Sequence, residues 1–228
     1  MGTRSVLDHN LTEIRDDILR LGSLVNQAVE RSITAFSTNN MQLAQEVVEG
    51  DDAIDSLHHK REERIISTVA LQQPMAHDLR RLIAALLITN ELERMGDYAE
   101  GIGRTALRRG EVPEMHIPVR LGEMQKAVNG MIGAVMEAYL NESPEQAQEV
   151  SVNDDKLDGD YKEMFNELIG KMGASQLPIE HGTYVMWAAH NLERIGDRVT
   201  NICERIVYSK TGEIGGLNPK SKAETDAK

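Results

Sequence analysis

The feature that most constrains this chain is a repeat. The stretch "NELERMGDYAE", residues 90–100, returns as "HNLERIGDRVTN", residues 190–201. Leu92, Glu93, Arg94, Gly96 and Asp97 match Leu192, Glu193, Arg194, Gly196 and Asp197 at an offset of one hundred residues. Upstream, "AQEV" at residues 44–47 and again at 147–150 is followed by Asp51 with Asp55 and by Asp154 with Asp158, at an offset of 103. Any fold for this chain has to build similar units twice.

Each unit reads as helical. Apolar residues recur three and four apart, as in Ile14, Ile18, Leu21, Val25 and Ala28, and in Leu43, Val47, Ile54, Leu57 and Ile65. The alternation a half-buried strand needs is absent. Asn39 and Asn40 can cap a second helix, Pro74 suits the first turn of a third, and Gly110, Pro113 and Pro118 mark a loop. The second half predicts helices over 119–141, 144–171 and 179–209, with Ser143 as N-cap and Pro144 in the first turn. The expected fold is all-α: two tandem three-helix bundles related by internal duplication. It should be elongated, since a helix of roughly 30 residues is about 45 Å long. The expected boundaries are 1–112 for the first bundle, 113–209 for the second and 210–228 for a polar, flexible tail. Tyr184 and Trp187 are expected in the core, and Cys203 as an inert thiol beside it.

Several function classes are disfavoured. A net charge of -12 opposes nucleic-acid binding. The lone Cys203 has no partner for an internal disulfide, which fits a reducing compartment. The longest apolar run, "LIAALLI" at 82–88, is too short to span a bilayer, and the N-terminus lacks a signal-peptide pattern. The expectation is a soluble, intracellular protein. No serine-nucleophile signature, Walker lysine or glycine-rich phosphate loop is present, so no catalytic residue and no organic cofactor is expected.

What stands out chemically is acid spacing. Glu93 with Asp97, and Glu193 with Asp197, are four apart and project side by side from a helix. Asp51 with Asp55, Asp154 with Asp158, and Glu13 with Asp17 repeat the arrangement. Each such pair costs a few tenths of a kcal/mol, about 0.2–0.5, unless something positive lies between the charges. Repulsion written so often points to a counter-ion, and carboxylate oxygens suit Fe, Mn, Mg or Ca. Zinc spacing is missing, since Cys203 stands alone and His58 adjoins His59. Gly96 and Gly196 stand where helical di-iron enzymes carry histidine. A helix-interior glycine costs about 1 kcal/mol, and close approach of a neighbouring helix is the compensation expected. The plainer reading pairs Arg94 and Arg194 with acids along a solvated face and treats Asp51, Asp55, Asp154 and Asp158 as surface acids.

The stretch "QQPMAHDLRRL" at 72–82, leading into "LERMGDYAEGI" and mirrored by "LERIGDRVTNICE", resembles the PhoU family over nearly the whole chain apart from the tail. The resemblance implies symmetric three-helix bundles that are cytoplasmic, commonly homodimeric and non-enzymatic. It also implies a negative regulator of phosphate uptake and of the phosphate-starvation regulon. Such a regulator is an adaptor between the transporter ATPase PstB and the sensor histidine kinase PhoR, and it reaches the membrane only through them. Some members bind multinuclear iron or other metal ions at E(D)xxxD motifs. By position these are Glu93, Asp97, Glu193 and Asp197, with Asp51, Asp55, Asp154 and Asp158 on the neighbouring helices. Pro74, Asp78 and Arg80 form a further motif. The second half reads "SQLPIEHGTYVM", with Glu180 opposite Arg80, so a function of that motif is expected from the first bundle alone. The competing reading is a cytosolic carboxylate-rich metal-binding or metal-storage bundle.

Overall fold

The computed structural model describes residues 3–110 and 115–213. Among these, every regular element is an α-helix: α1 Thr3–Thr38, α2 Met41–Gln72, α3 Ala76–Arg109, α4 Val119–Leu140, α5 Pro144–Ser151, α6 Asn153–Gly173 and α7 Ile179–Thr211. The stripe Ile14, Ile18, Leu21 and Val25 is at most 1 % exposed and drives α1 onto α2 and α3. The second unit repeats this arrangement, with α4, α5 and α6 packed on α7. The two bundles then lie against each other, mainly through α3 on α7 and also through α1 on α4, so their apolar residues merge into one continuous core.

Side chains at the helix ends explain the boundaries. Asn40 Oδ1 accepts from the Leu43 amide at 3.0 Å and starts α2, while Asn39 takes the left-handed turn at φ 53. Ser143 Oγ does the same for α5, accepting from the Gln146 amide at 3.2 Å. The expected helix over 144–171 is broken at Val152 into α5 and α6. There Ser151 Oγ donates to the Gln148 carbonyl at 2.8 Å and Asn153 Nδ2 to the Val150 carbonyl at 3.3 Å, so side chains compete with the backbone ladder. Pro74 is not in the first turn of α3. Gln73, at φ 46, ends α2 and Met75 is extended, which places the proline in the connecting turn. The expected tail also begins later, because Lys210 and Thr211 continue α7 and Gly212 caps it at φ 78. The remainder of that tail, 214–228, and Pro113 of the expected loop lie outside the described residues.

Two aromatic expectations are corrected. Trp187 is 57 % exposed and Tyr184 only half-buried. The inward face of α7 carries Val185, Ala189 and Leu192, and Trp187, two residues after Val185, lies about 200° round the axis from it. Cys203 is fully buried, and burial pushes its thiol up to about 12.

Polar clamps hold the bundles in register. Asn129 Nδ2 donates to the Asn26 carbonyl at 2.7 Å and to Asn26 Oδ1, joining α4 to α1 at positions equivalent in the repeat. Glu142, at φ 49 in the α4–α5 turn, pairs with Arg81 of α3 at 2.5 Å and with Lys210 of α7. Burial would raise its carboxyl, but Lys210 and Arg81 together hold it below the usual range.

The expected helix–helix approach at the motif glycines is present. A methyl group at Gly96 would sit 3.0 Å from Ile54 Cγ2, and one at Gly196 would run into Leu157, which is 1 % exposed. Gly130 of α4 has open space around it. Thermal or urea melts should therefore give opposite signs. Gly196→Ala is expected to destabilise by about 1–2 kcal/mol as overpacking exceeds the helix-propensity gain. Gly130→Ala is expected to stabilise by about 0.5–1 kcal/mol.

Candidate metal centre

Gly96 lies between Glu93 and Asp97 on α3 and faces α2. Its missing side chain lets α2 come close enough that a methyl there would be 3.1 Å from Asp51 Oδ1. The result is a strip of carboxylates along the α2–α3 seam. Asp51, Asp55 and Asp97 each turn one carboxylate oxygen to a common point, all within 4.8 Å of one another. The second repeat builds the same strip between α6 and α7. A methyl at Gly196 would be 3.2 Å from Asp154 Oδ1, and Asp154, Asp158 and Asp197 converge within the same distance.

The two strips lie level with each other on opposite flanks of the α3–α7 pair. The Tyr184 hydroxyl lies 3.4 Å from the Arg108 carbonyl oxygen, Asn191 lies against Gly101, and Asn201 Nδ2 donates to Glu91 Oε2 at 3.1 Å. These contacts share one antiparallel register, in which the hundred-residue offset sets Gly96 opposite Gly196. Arg198 strengthens the same seam by pairing with Glu91 at 3.2 Å.

Repulsion is visible in the electrostatics of the first strip. Burial, then Asp55, Glu100, Asp97 and Glu93, push the Asp51 carboxyl up to about 7. Burial and then Asp97 raise Glu93, opposed by His58 and Arg94. Burial, then Asp55 and Glu100, raise Asp97, opposed by Arg94 and His58. Asp51 Oδ1 is buried without a hydrogen-bond partner among the described residues. A sealed, unpartnered oxygen among like charges fits a hard cation as the missing partner, and the all-oxygen triad fits Fe, Mn, Mg or Ca. In the second strip Asp197 already accepts from Arg194 Nη1 at 3.0 Å.

The structure places the expected residues unevenly. Asp51, Asp55 and Asp97 come together, as do Asp154, Asp158 and Asp197, with Glu93 and Glu193 half-buried beside them. Asp154 and Asp158 are not surface acids, at 6 % exposed each, because Gly196 lets α6 settle onto α7. Glu13 and Asp17 take no part: Arg64 pairs with Glu13, and Arg61 pairs with Asp17 at 2.8 Å. Pro74, Asp78 and Arg80 sit at the α2–α3 end of the bundle, where Arg80 packs against Gly212 at the close of α7. Glu180, its counterpart in the repeat, accepts from the Tyr184 hydroxyl at 3.1 Å. His190 Nδ1 lies 3.7 Å from Glu193, on the exposed side of the second strip. Spacing to His59 says nothing useful about His58. Its position seven residues after Asp51 does, since that puts both on one face of α2.

The PhoU domain matches twice, over residues 18–106 and 121–206. The chain belongs to the PhoU family. It is 32 % identical over 217 residues to the phosphate-specific transport system accessory protein PhoU homolog of Clostridium acetobutylicum, covering 95 % of this chain and 99 % of that one. Against the homolog of the same description from Caulobacter vibrioides it is 37 % identical over 204 residues, 89 % of each chain. The crystal structure of the phosphate transport system regulatory protein PhoU from Streptococcus pneumoniae superposes with a TM-score of 0.86 at 30 % identity, over 92 % of this chain and 99 % of that one. PhoU from Pseudomonas aeruginosa gives 0.84 at 30 % identity, over 90 % and 99 %. Tandem, repeated helical bundles are thus the fold of this family, and among the described residues no helix is long and apolar enough to cross a membrane.

The strip makes stability depend on pH. Asp51 binds its proton more tightly folded, near 7, than at its ordinary 3.8, so its contribution is fully present below about 4. That contribution is lost as pH rises through about 7. In chelator, urea melts of the parent should show stability falling between these limits, and Asp51→Asn should flatten that fall. An unchanged slope in the variant contradicts the assignment.

Proposed function

We propose that this protein is a cytoplasmic accessory regulator of a phosphate-specific transport system. In this reading it restrains phosphate uptake and the phosphate-starvation regulon while phosphate is plentiful, as a homodimeric adaptor between the ATPase PstB and the sensor histidine kinase PhoR. The observation that carries the reading is the near full-length match to accessory proteins of such systems. The role requires surfaces rather than chemistry. The exposed apolar residues Leu71 and Met75 at the α2–α3 turn and Ile179 at the start of α7 provide such surface at both ends of the molecule.

The acid strips serve this role as structural cation sites. Asp51, Asp55, Glu93 and Asp97 would hold ions on one flank, and Asp154, Asp158, Glu193 and Asp197 on the other, with Fe, Mn, Mg or Ca as the fitting class. A bound ion supplies positive charge, which turns the repulsion across the α2–α3 and α6–α7 seams into cross-links. The strips also favour a second reading, a carboxylate-rich metal-storage bundle. Sedimentation at micromolar concentration tests the dimer by its mass, twice that of one chain.

Affinity capture from phosphate-replete cells separates the two readings. The adaptor reading expects PstB and PhoR in the captured membranes and raised reporter expression in a deletion strain. Neither partner captured, together with unaltered uptake and reporter levels, would sink it in favour of storage. The cation sites are read by melting. Manganese or ferrous ion is expected to raise the parent's Tm, Glu93→Gln with Asp97→Asn to remove a large part of that rise, and Glu193→Gln with Asp197→Asn to remove the rest. A parent whose melting ignores every divalent ion defeats the cation sites alone.

A further inference from the structure

We infer that His58 is a nitrogen ligand at one end of the α2–α3 acid strip, giving that strip a preference for borderline transition ions that the α6–α7 strip lacks. The inference rests on the cation-site reading of the acids and adds to it a residue outside the E(D)xxxD spacing.

The ring is 9 % exposed, and its Nδ1 is sealed from solvent without a hydrogen-bond partner among the described residues. A buried imidazole nitrogen ordinarily finds a partner. His58 follows Asp55 by three residues and Asp51 by seven, which puts it on the acid-bearing face of α2, one turn beyond Asp55. Because α3 runs antiparallel to α2, the acid opposite that turn is Glu93 rather than Asp97. The ring lies close enough to Glu93 and Asp97 that a proton on it would lower both carboxyls. An edge-on contact with the His59 ring, centroids 5.3 Å apart, braces it, while His59 Nδ1 lies 2.8 Å from the Asp55 carbonyl oxygen. His58 thus sets an unpartnered ring nitrogen on the acid-bearing face of α2, one turn beyond the point where Asp51, Asp55 and Asp97 converge and outside that triad, held in place from its own helix.

The second repeat differs at this position. The residue equivalent to His58, at the 103-residue offset, is Tyr161. Its ring meets that of His190 at 5.9 Å, and the His190 side chain is 55 % exposed and comes from α7 instead. No buried nitrogen closes the second strip from α6. Imidazole favours Fe²⁺, Co²⁺, Ni²⁺ and Zn²⁺ over Mg²⁺ and Ca²⁺, whereas carboxylates alone favour the latter pair.

The test uses the full chain carrying Glu193→Gln and Asp197→Asn, labelled with ¹⁵N-histidine and titrated with Zn²⁺, a diamagnetic borderline ion. Long-range ¹H–¹⁵N spectra, assigned with His58→Gln, are expected to move a His58 ring nitrogen into the metal-bound range at one equivalent. His58→Gln should weaken Zn²⁺ binding by at least about tenfold and leave Ca²⁺ binding within about twofold. If Zn²⁺ binds in a manner that Glu93→Gln with Asp97→Asn abolishes, yet the His58 resonances stay where they were, the inference is overturned and the cation site stands. If neither Zn²⁺ nor Ca²⁺ binds the strip, both fall. The shift is read on the unsubstituted histidine, so a poorly folding His58 variant does not blunt the result.

Discussion

In each repeat one helix approaches another over a glycine flanked by acids, and the carboxylate strips follow from that approach. Gly96 and Gly196 each sacrifice about 1 kcal/mol of helix propensity, and in return α2 and α6 settle directly onto α3 and α7. That approach buries carboxylates against carboxylates, which raises Asp51 to about 7 and leaves one of its oxygens without a partner. Close packing and charge repulsion are thus produced by the same residue. Remove the glycine and the acids separate; remove the acids and the glycine has no purpose at the seam beyond packing. A cation of the right class would resolve the conflict, and the proposed reading of the motif as a ligand set rests on that.

The duplication gives this interaction a second copy and a frame to hold both. Because α3 and α7 pair antiparallel about the level of the two glycines, the strips lie in seams on opposite flanks of that pair. An event at one seam is then separated from the other only by the α3–α7 pair. Glu91 with Arg198 and Asn201 fixes that pair, Asn26 with Asn129 fixes α1 against α4, and Glu142 with Arg81 and Lys210 closes one end. These ties are polar and specific in register, whereas the core between them is aliphatic and continuous. A regulator built this way can transmit a change at one flank as a shift of whole helices, since long helices move as rods.

Much of this was legible in the residues. The stripe through Ile14 and Val25 specifies a buried helix face, Asn40 and Ser143 specify starts, and the LERxGD repeat specifies two copies of one seam. Other features depend on neighbours that spacing does not reveal. Trp187 carries a core residue's chemistry but lies on the wrong side of α7. Val152 interrupts a helix because Ser151 and Asn153 divert hydrogen bonds, a competition that apolar periodicity does not register. Asp154 and Asp158 look like surface acids until α6 is laid over Gly196. Glu13 and Asp17 share the acid spacing of the real strips and are distinguished only by the arginines of α2 that reach them. Spacing finds which groups share a face; only packing decides whether that face meets water, arginine or another carboxylate.

The central claim, that the glycine seams exist to converge carboxylates on cations, is tested most directly by anomalous diffraction at the manganese edge from crystals grown with Mn²⁺. The account predicts an anomalous peak among Asp51, Asp55 and Asp97 and a second among Asp154, Asp158 and Asp197. Peaks confined to other parts of the surface, with both seams empty at saturating Mn²⁺, would contradict it.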